Sequence, residues 1–145
     1  MSQKLVITGC YWKEKCLPGL NDLLAEASRH PMAYNKLKKQ CEMVIISQIR
    51  RQLGRYKAQN RVFPVYTFYE PKKGQKRDYD NVSAGGRKII NDALVKAGVL
   101  QDDSPKYLLF GESKFVYSEK PGIVIELFEE GEDEWKEENT EKIQH

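Results

Sequence analysis

Residues Arg61–Pro71 read RVFPVYTFYEP, and this stretch decides the fold. It is apolar at nearly every position and rich in aromatic side chains. A continuous apolar run of this length, unlike an alternating one, predicts a strand that is buried on both faces. Pro64 speaks against a central position, because proline has no amide hydrogen to donate to a ladder. The sequence therefore predicts an interior strand, with Pro64 as its one unfavourable residue.

Shorter patterns on both sides of this strand predict the remaining elements. In chain order they are a strand at Lys4–Gly9, a short helix within Leu17–Pro31, a long amphipathic helix from Met32 to about Tyr56, the interior strand, a helix within Gly85–Gly98, and two strands within Tyr107–Tyr117 and Gly122–Phe128. This order predicts a single small α+β domain, with a mixed β-sheet packed with two or three helices. We expect the domain to span residues 1–130.

Charge is distributed unevenly along the chain. Residues 126–145 carry nine acidic side chains and two lysines, and the rest then holds 22 Lys and Arg against 12 Asp and Glu. A basic body is typical of a protein that binds phosphates, although scattered lysines are also explained by solubility alone. Residues 131–145 form an acidic tail that we expect to be flexible.

Composition also bears on where the protein works. No apolar run approaches the roughly 18 residues of a membrane span, and the first residues do not resemble an export signal. The three cysteines form no close pair, which is typical of reduced thiols that fill space. We therefore expect a cytoplasmic protein without a disulfide framework.

Two acidic pairs flank the helix predicted within Gly85–Gly98. Asp78 and Asp80 lie in the stretch RDYDN, and Asp102 and Asp103 follow the helix. In extended backbone, Asp78 and Asp80 would point to the same side, and a returning chain could bring Asp103 beside them. Three carboxylates around one point are a typical site for Mg²⁺. Taken separately, the first pair also suits a capping turn before a helix and the second suits a plain loop.

Basic residues surround the first acidic pair. The loop Lys72–Arg77 precedes it, and Arg87 and Lys88 follow it. Cations beside an acidic cluster suit a site that holds both a metal and a polyanion. Lys88 also has a simpler explanation, because Asp92 lies four residues later, where the two side chains can pair on a helix surface.

The ordered combination of RDYDN, RKIINDALVKAGVL (87–100) and QDDS (101–104) resembles the RusA family of Holliday junction resolvases. The resemblance implies a small homodimeric endonuclease, encoded by a bacterium or its phage, that cuts four-way DNA junctions in recombination and repair. It implies Mg²⁺ as the cofactor, with Mn²⁺ as a substitute. The metal ligands would be Asp78, Asp80 and Asp103, and the essential lysine would be Lys88. Arg87 is the alternative to Lys88, because the segment SAGG makes this stretch longer than in the best-known members.

The same reading assigns the phosphate contacts and leaves two alternatives open. We expect DNA to be held by basic side chains near the acidic pair, namely Lys72, Lys73, Lys76, Arg77 and Arg87. One alternative is a nuclease for other branched DNA, such as flaps and forks. The other is a basic DNA-binding protein without catalytic activity.

Overall fold

The computed structural model describes residues 2–131, and within them lie four strands and three helices. They are β1 (Gln3–Thr8), α1 (Leu20–Arg29), α2 (Pro31–Leu53), β2 (Val62–Pro71), α3 (Tyr79–Lys96), β3 (Glu112–Ser118) and β4 (Gly122–Glu129). The strands form one mixed sheet, which confirms the α+β prediction. Most of the predicted acidic tail lies outside the described residues.

The sheet has the order β1-β4-β2-β3, so β2 is an interior strand as predicted. It pairs antiparallel with β4 and parallel with β3. Tyr66 and Phe68 are completely or almost completely buried on it. Pro64 is tolerated because the ladder to β3 begins only one residue later, where Val65 pairs with Glu112. Gly111, with φ +74°, lies against Pro64 at this break.

Helix α3 makes the connection that the parallel strands β2 and β3 require. It starts beyond the carboxyl end of β2 and returns the chain to the start of that strand, where the Val62 amide donates to the Tyr107 carbonyl at 2.9 Å. Its 18 residues correspond to a length of about 27 Å. The two ends of α3 therefore lie at opposite ends of the sheet. None of the helices in the described chain is long and apolar enough to cross a membrane.

The helix begins at Tyr79, six residues before the predicted start at Gly85. Gly85 and Gly86 are buried within it and serve close packing, not chain flexibility. A Cβ on Gly85 would lie 2.5 Å from the carbonyl carbon of Gly19, and one on Gly86 would lie 2.6 Å from the Phe68 ring. These glycines therefore let α3 approach the start of α1 and the sheet.

Helices α2 and α3 are joined by a chain of charged side chains. Lys38 Nζ lies 2.6 Å from Asp92 and 3.2 Å from the buried Glu42, and Lys96 Nζ lies 2.5 Å from the other Glu42 oxygen. Burial lowers the pKa of Lys38, but the hydrogen bonds to Asp92 and Glu42 outweigh it and raise the pKa overall. The helix pair is thus fixed in its relative position by ion pairs as well as by apolar contacts.

We expect Gly85→Ala to destabilise the fold, although alanine favours a helix by up to about 1 kcal/mol over glycine. Overpacking against the Gly19 backbone costs about 1–3 kcal/mol, and backbone atoms cannot move aside as a side-chain tip can. Urea denaturation measures the net loss of unfolding free energy. Ala84→Gly at the neighbouring exposed position is the control and should cost only about 0.5–1 kcal/mol. A more stable Gly85→Ala variant would contradict the close contact.

The cysteines should differ in reactivity towards Ellman's reagent. Cys10 is exposed, whereas Cys16 and Cys41 are buried. Burial is the main cause that raises the pKa of Cys16 to about 12 and that of Cys41 to about 11, so their reactive thiolates are scarce at neutral pH. We expect one thiol to react quickly in the native protein and all three in guanidinium chloride. Rapid reaction of two or more native thiols would contradict this packing.

Candidate metal and nucleic-acid site

Asp78 and Asp80 lie at the amino terminus of α3. Asp78 is the N-cap residue, with extended backbone (φ −66°, ψ 142°), but its side chain makes no capping hydrogen bond. Asp80 already belongs to the first helical turn, so the predicted extended arrangement of the pair is wrong. Both side chains are exposed, and neither enters an ion pair with a described residue. Both lie at the positive end of the helix dipole.

Asn81 connects this helix start to the neighbouring helix. Its Oδ1 accepts a hydrogen bond from the Asn21 amide at 2.7 Å, which satisfies a free amide in the first turn of α1. A Cβ on Gly19 would meet the Asn81 side chain at 2.7 Å. Asn81 thus joins the start of α3 to the backbone of α1.

A polar groove of about 400 Å³ opens beside Asp78. Its lining includes three lysines, Lys13, Lys15 and Lys76, together with the carboxylates of Asp22 and Asp78. Lys13 and Lys15 belong to the connection between β1 and α1, far from the acidic pair in sequence. The groove therefore places positive charge next to an exposed carboxylate, which is an arrangement suited to a phosphate ester and a metal together.

Arg77 also lines this groove, but its guanidinium is engaged within the chain, which argues against its assignment as a DNA contact. Its guanidinium donates two hydrogen bonds of 2.8 Å to the buried Glu70 and one of 2.9 Å to the Leu17 carbonyl. Its side chain is only 11% exposed. A paired and buried guanidinium cannot reach a phosphate without breaking these bonds, so Arg77 joins the end of β2 to the chain before α1.

Arg87 is likewise a structural residue, which corrects both its DNA-binding assignment and its role as an alternative to Lys88. It is 7% exposed, donates to Ser113 Oγ and to the Phe110 carbonyl, and lies between the rings of Tyr66 and Phe110. Burial lowers its pKa. The side chain packs from α3 against the sheet, so its guanidinium is not free to contact a phosphate.

The three remaining predicted DNA contacts are exposed lysines, namely Lys72, Lys73 and Lys76. Lys72 Nζ lies 3.5 Å from Glu119, a weak exposed pair. Lys76 lies over the Tyr117 ring at 4.7 Å and donates to the Pro71 and Lys72 carbonyls. All three side chains are exposed, and their assignment as DNA contacts stays a prediction.

Lys88 is exposed in the middle of α3 and makes no ion pair within the described chain. The simpler explanation, a pair with Asp92, is wrong, because Asp92 contacts Lys38 of α2. Lys88 lies eight residues after Asp80, which corresponds to about 12 Å along the helix. It is a free cation on the same helix as the acidic pair, a little more than two turns away.

Asp103 lies at the other end of the sheet from Asp78 and Asp80. It follows α3 and precedes the segment in which Leu108 pairs with Val62, the first residue of β2. The rigid α3 of about 27 Å separates it from Asp78. The prediction that one chain brings the three carboxylates together is therefore not met. Within residues 2–131, no three His, Cys, Asp or Glu side chains are grouped so as to hold a metal.

Sequence reasoning missed Lys13 and Lys15 as members of the site. The stretch YWKEK (11–15) is basic and aromatic, but it lies more than 60 residues before RDYDN, so the sequence did not show that the two stretches are close in space.

No protein-family model matches the chain, and no curated protein matches it. A function therefore has to be inferred from the residues and their geometry.

We expect Arg77→Ala to lower the free energy of unfolding by about 3 kcal/mol, because it leaves the nearly buried Glu70 carboxylate without its partner. Lys73→Ala removes the same charge from the same loop at an exposed position and should change stability by less than about 0.5 kcal/mol. Urea denaturation of the two variants makes the comparison. Equal stabilities would show that the Arg77–Glu70 pair does not hold the loop.

Proposed function

We propose that this protein is a Mg²⁺-dependent endonuclease that cuts branched DNA, with four-way junctions as its substrate. The observation that carries the proposal is the pair of exposed carboxylates at the start of α3, beside a lysine-lined groove. Neither carboxylate is used to cap the helix or to balance a charge within the described residues. Their order in the chain is the one that resembles the RusA resolvases.

The chain offers part of a fitting metal site. Asp78 and Asp80 supply two exposed carboxylates, which are hard oxygen ligands of the kind that Mg²⁺ and Mn²⁺ prefer. When bound there, the metal would lower the pKa of a coordinated water, so that hydrolysis needs no nucleophile from the protein. The proposal takes Asp103 as the third ligand. Because Asp103 lies beyond the far end of α3, it would reach this site only from a second chain or after a rearrangement of its own chain.

The lysines of the groove and of the basic loop would hold the DNA. Lys13, Lys15 and Lys76 line the groove next to Asp78, and Lys72 and Lys73 extend the positive surface along the loop. Lysine contacts to phosphates give affinity without sequence information, as a structure-specific nuclease requires. Lys88 is the cation proposed to balance the charge that develops on the departing oxygen.

A basic DNA-binding protein without catalytic activity is the second candidate. The separation of Asp103 from the other two aspartates favours it, because a single chain then holds an incomplete ligand set. This candidate predicts junction binding that EDTA does not alter and no strand cleavage with any divalent metal. A nuclease for flaps or forks would instead cut those substrates faster than a four-way junction at equal salt.

We expect Asp80→Asn to reduce cleavage of a synthetic four-way junction by a factor on the order of 10²–10³, because a metal ligand is lost. Binding of the same junction in Ca²⁺ should persist, since the groove lysines are unchanged. Gel assays with Mg²⁺ and with Ca²⁺ measure the two quantities.

Glu119→Gln is the matched control, because it removes an exposed carboxylate close to the basic loop but outside the acidic pair. We expect it to cleave at nearly the rate of the unaltered protein. Full cleavage by Asp80→Asn would reject the proposed function, and equal losses in both variants would show a general charge effect.

A further inference from the structure

A run of aromatic rings extends from the core to the surface beside the two exposed carboxylates. Phe68 of β2 is buried in the core, and its ring stacks on that of Phe115 on β3, with ring centres 5.3 Å apart. Phe115 in turn stacks on Tyr79, the first residue of α3, at 4.4 Å. The ring planes differ by only 16° and 18° at the two contacts. Tyr79 is therefore the outer member of an ordered stack.

The Tyr79 ring has one face that another ring can cover. Phe115 covers the opposite face, and 53% of Tyr79 is exposed. A ring that is held parallel to a buried partner has lost most of its freedom already, so a further flat ligand binds it at little cost in order. Because offset stacking is the contact that this geometry offers, the ligand has to carry an aromatic face of its own.

Tyr117 and Lys76 extend this surface and give it positive charge. Desolvation is the main cause that raises the pKa of Tyr117, and a hydrogen bond with the Tyr79 side chain adds to it, so the two rings belong to one patch. Lys76 Nζ lies 4.7 Å from the centre of the Tyr117 ring, and the same lysine lines the groove beside Asp78. The exposed aliphatic Val116 points to the other face of the sheet, because successive strand residues alternate. Rings edged by a cation are the combination that binds a strand of nucleic acid through its bases and phosphates.

We propose that Tyr79 is a stacking platform for a nucleobase that leaves the duplex at the branch point of the DNA. Bases inside a duplex are stacked on each other and cannot reach a ring on a protein surface, whereas an unpaired or weakly stacked base is displaced at low cost. The platform recognises the branched shape of the substrate without reading its sequence, since every base has a flat face. The identity of the substrate as branched DNA rests on the proposed function.

The place of Tyr79 in the chain connects this contact to the proposed site of cleavage. Tyr79 lies between Asp78 and Asp80, and each neighbouring Cα atom is only about 3.8 Å away. A strand whose base stacks on Tyr79 therefore has its nearest phosphates close to the two carboxylates, with Lys76 beside them. Tyr79 acts by binding and positioning the branch, and its ring takes no part in breaking the phosphodiester bond.

Binding assays test the platform without reference to cleavage. Fluorescence anisotropy compares labelled oligothymidine, a synthetic four-way junction and a linear duplex, at one salt concentration and with Ca²⁺ in place of Mg²⁺. Tyr79→Leu should weaken binding of oligothymidine and of the junction by about 5- to 150-fold, the usual range for the loss of one stacked base. Duplex binding depends on phosphate contacts and should change by less than about twofold. Tyr79→Phe keeps the ring and should bind all three like the unaltered protein.

Phe110→Leu is the matched control, because Phe110 is also an exposed ring, at 79%, but packs on Arg87 before β3 begins. It should leave the binding of all three DNA probes unchanged. Tyr79→Met is the second variant, in case leucine disturbs the start of α3, since a thioether keeps a favourable contact with the Phe115 ring. It should weaken binding of oligothymidine and of the junction as Tyr79→Leu does. Circular dichroism checks that each variant is folded.

Normal oligothymidine binding by a folded Tyr79→Leu or Tyr79→Met variant would overturn the platform, and so would an equal loss for oligothymidine and duplex. Normal binding of the junction alone would reject the branch point as the source of the base. The same loss in Phe110→Leu would show that Tyr79 is not the specific contact. A protein that cuts junctions with Mg²⁺ but binds them without the Tyr79 ring would lose only the platform. A protein that never cuts DNA, yet needs this ring to bind oligothymidine, would reject the proposed function and leave the stacking site standing.

Discussion

The parallel pairing of β2 with β3 is the constraint from which the rest of the structure follows. Two neighbouring parallel strands cannot be joined by a tight turn, so the chain has to travel back along the sheet before it pairs again. Helix α3 makes that return in one straight piece, and Arg87 anchors it to Tyr66 and Phe110 beneath. The residues just before α3 therefore follow the end of β2, and the residues just after α3 lead back to the start of β2.

The start of α3 is held by buried polar contacts that leave its acidic side chains untouched. Arg77 joins Glu70 to the Leu17 carbonyl, and Asn81 joins the helix to α1. Arg77 and Asn81 make these contacts without Asp78 or Asp80. Within the described residues, neither aspartate caps the helix or forms an ion pair. Exposed polar side chains that a rigid scaffold holds in place are typical of functional sites, and the two carboxylates at the start of α3 have this character.

Sequence patterns predicted most of the fold but only part of the site. The interior strand and the long helix were found because apolar periodicity is a local property of the chain. The start of α3 was missed because Gly85 and Gly86 discourage a helix in isolation, and only their contacts with Gly19 and Phe68 explain them. Arg77 and Arg87 were misassigned for the same reason: charge can be counted in a sequence, whereas burial and partners depend on residues far away. The separation of Asp103 followed from the direction of α3, which no local pattern reveals.

The straightness of α3 also limits how this chain can change in length. Each residue added to a helix advances its far end by about 1.5 Å and turns it by about 100°. One, two or three extra residues would rotate Arg87 and the apolar side chains away from the sheet. Four would turn them only about 40° past a full revolution while lengthening the helix by about 6 Å. Insertions and deletions in this helix should therefore be tolerated only in steps close to a whole turn. Each such step would change the distance between Asp78, at the start of the helix, and Asp103, beyond its end, by about 6 Å.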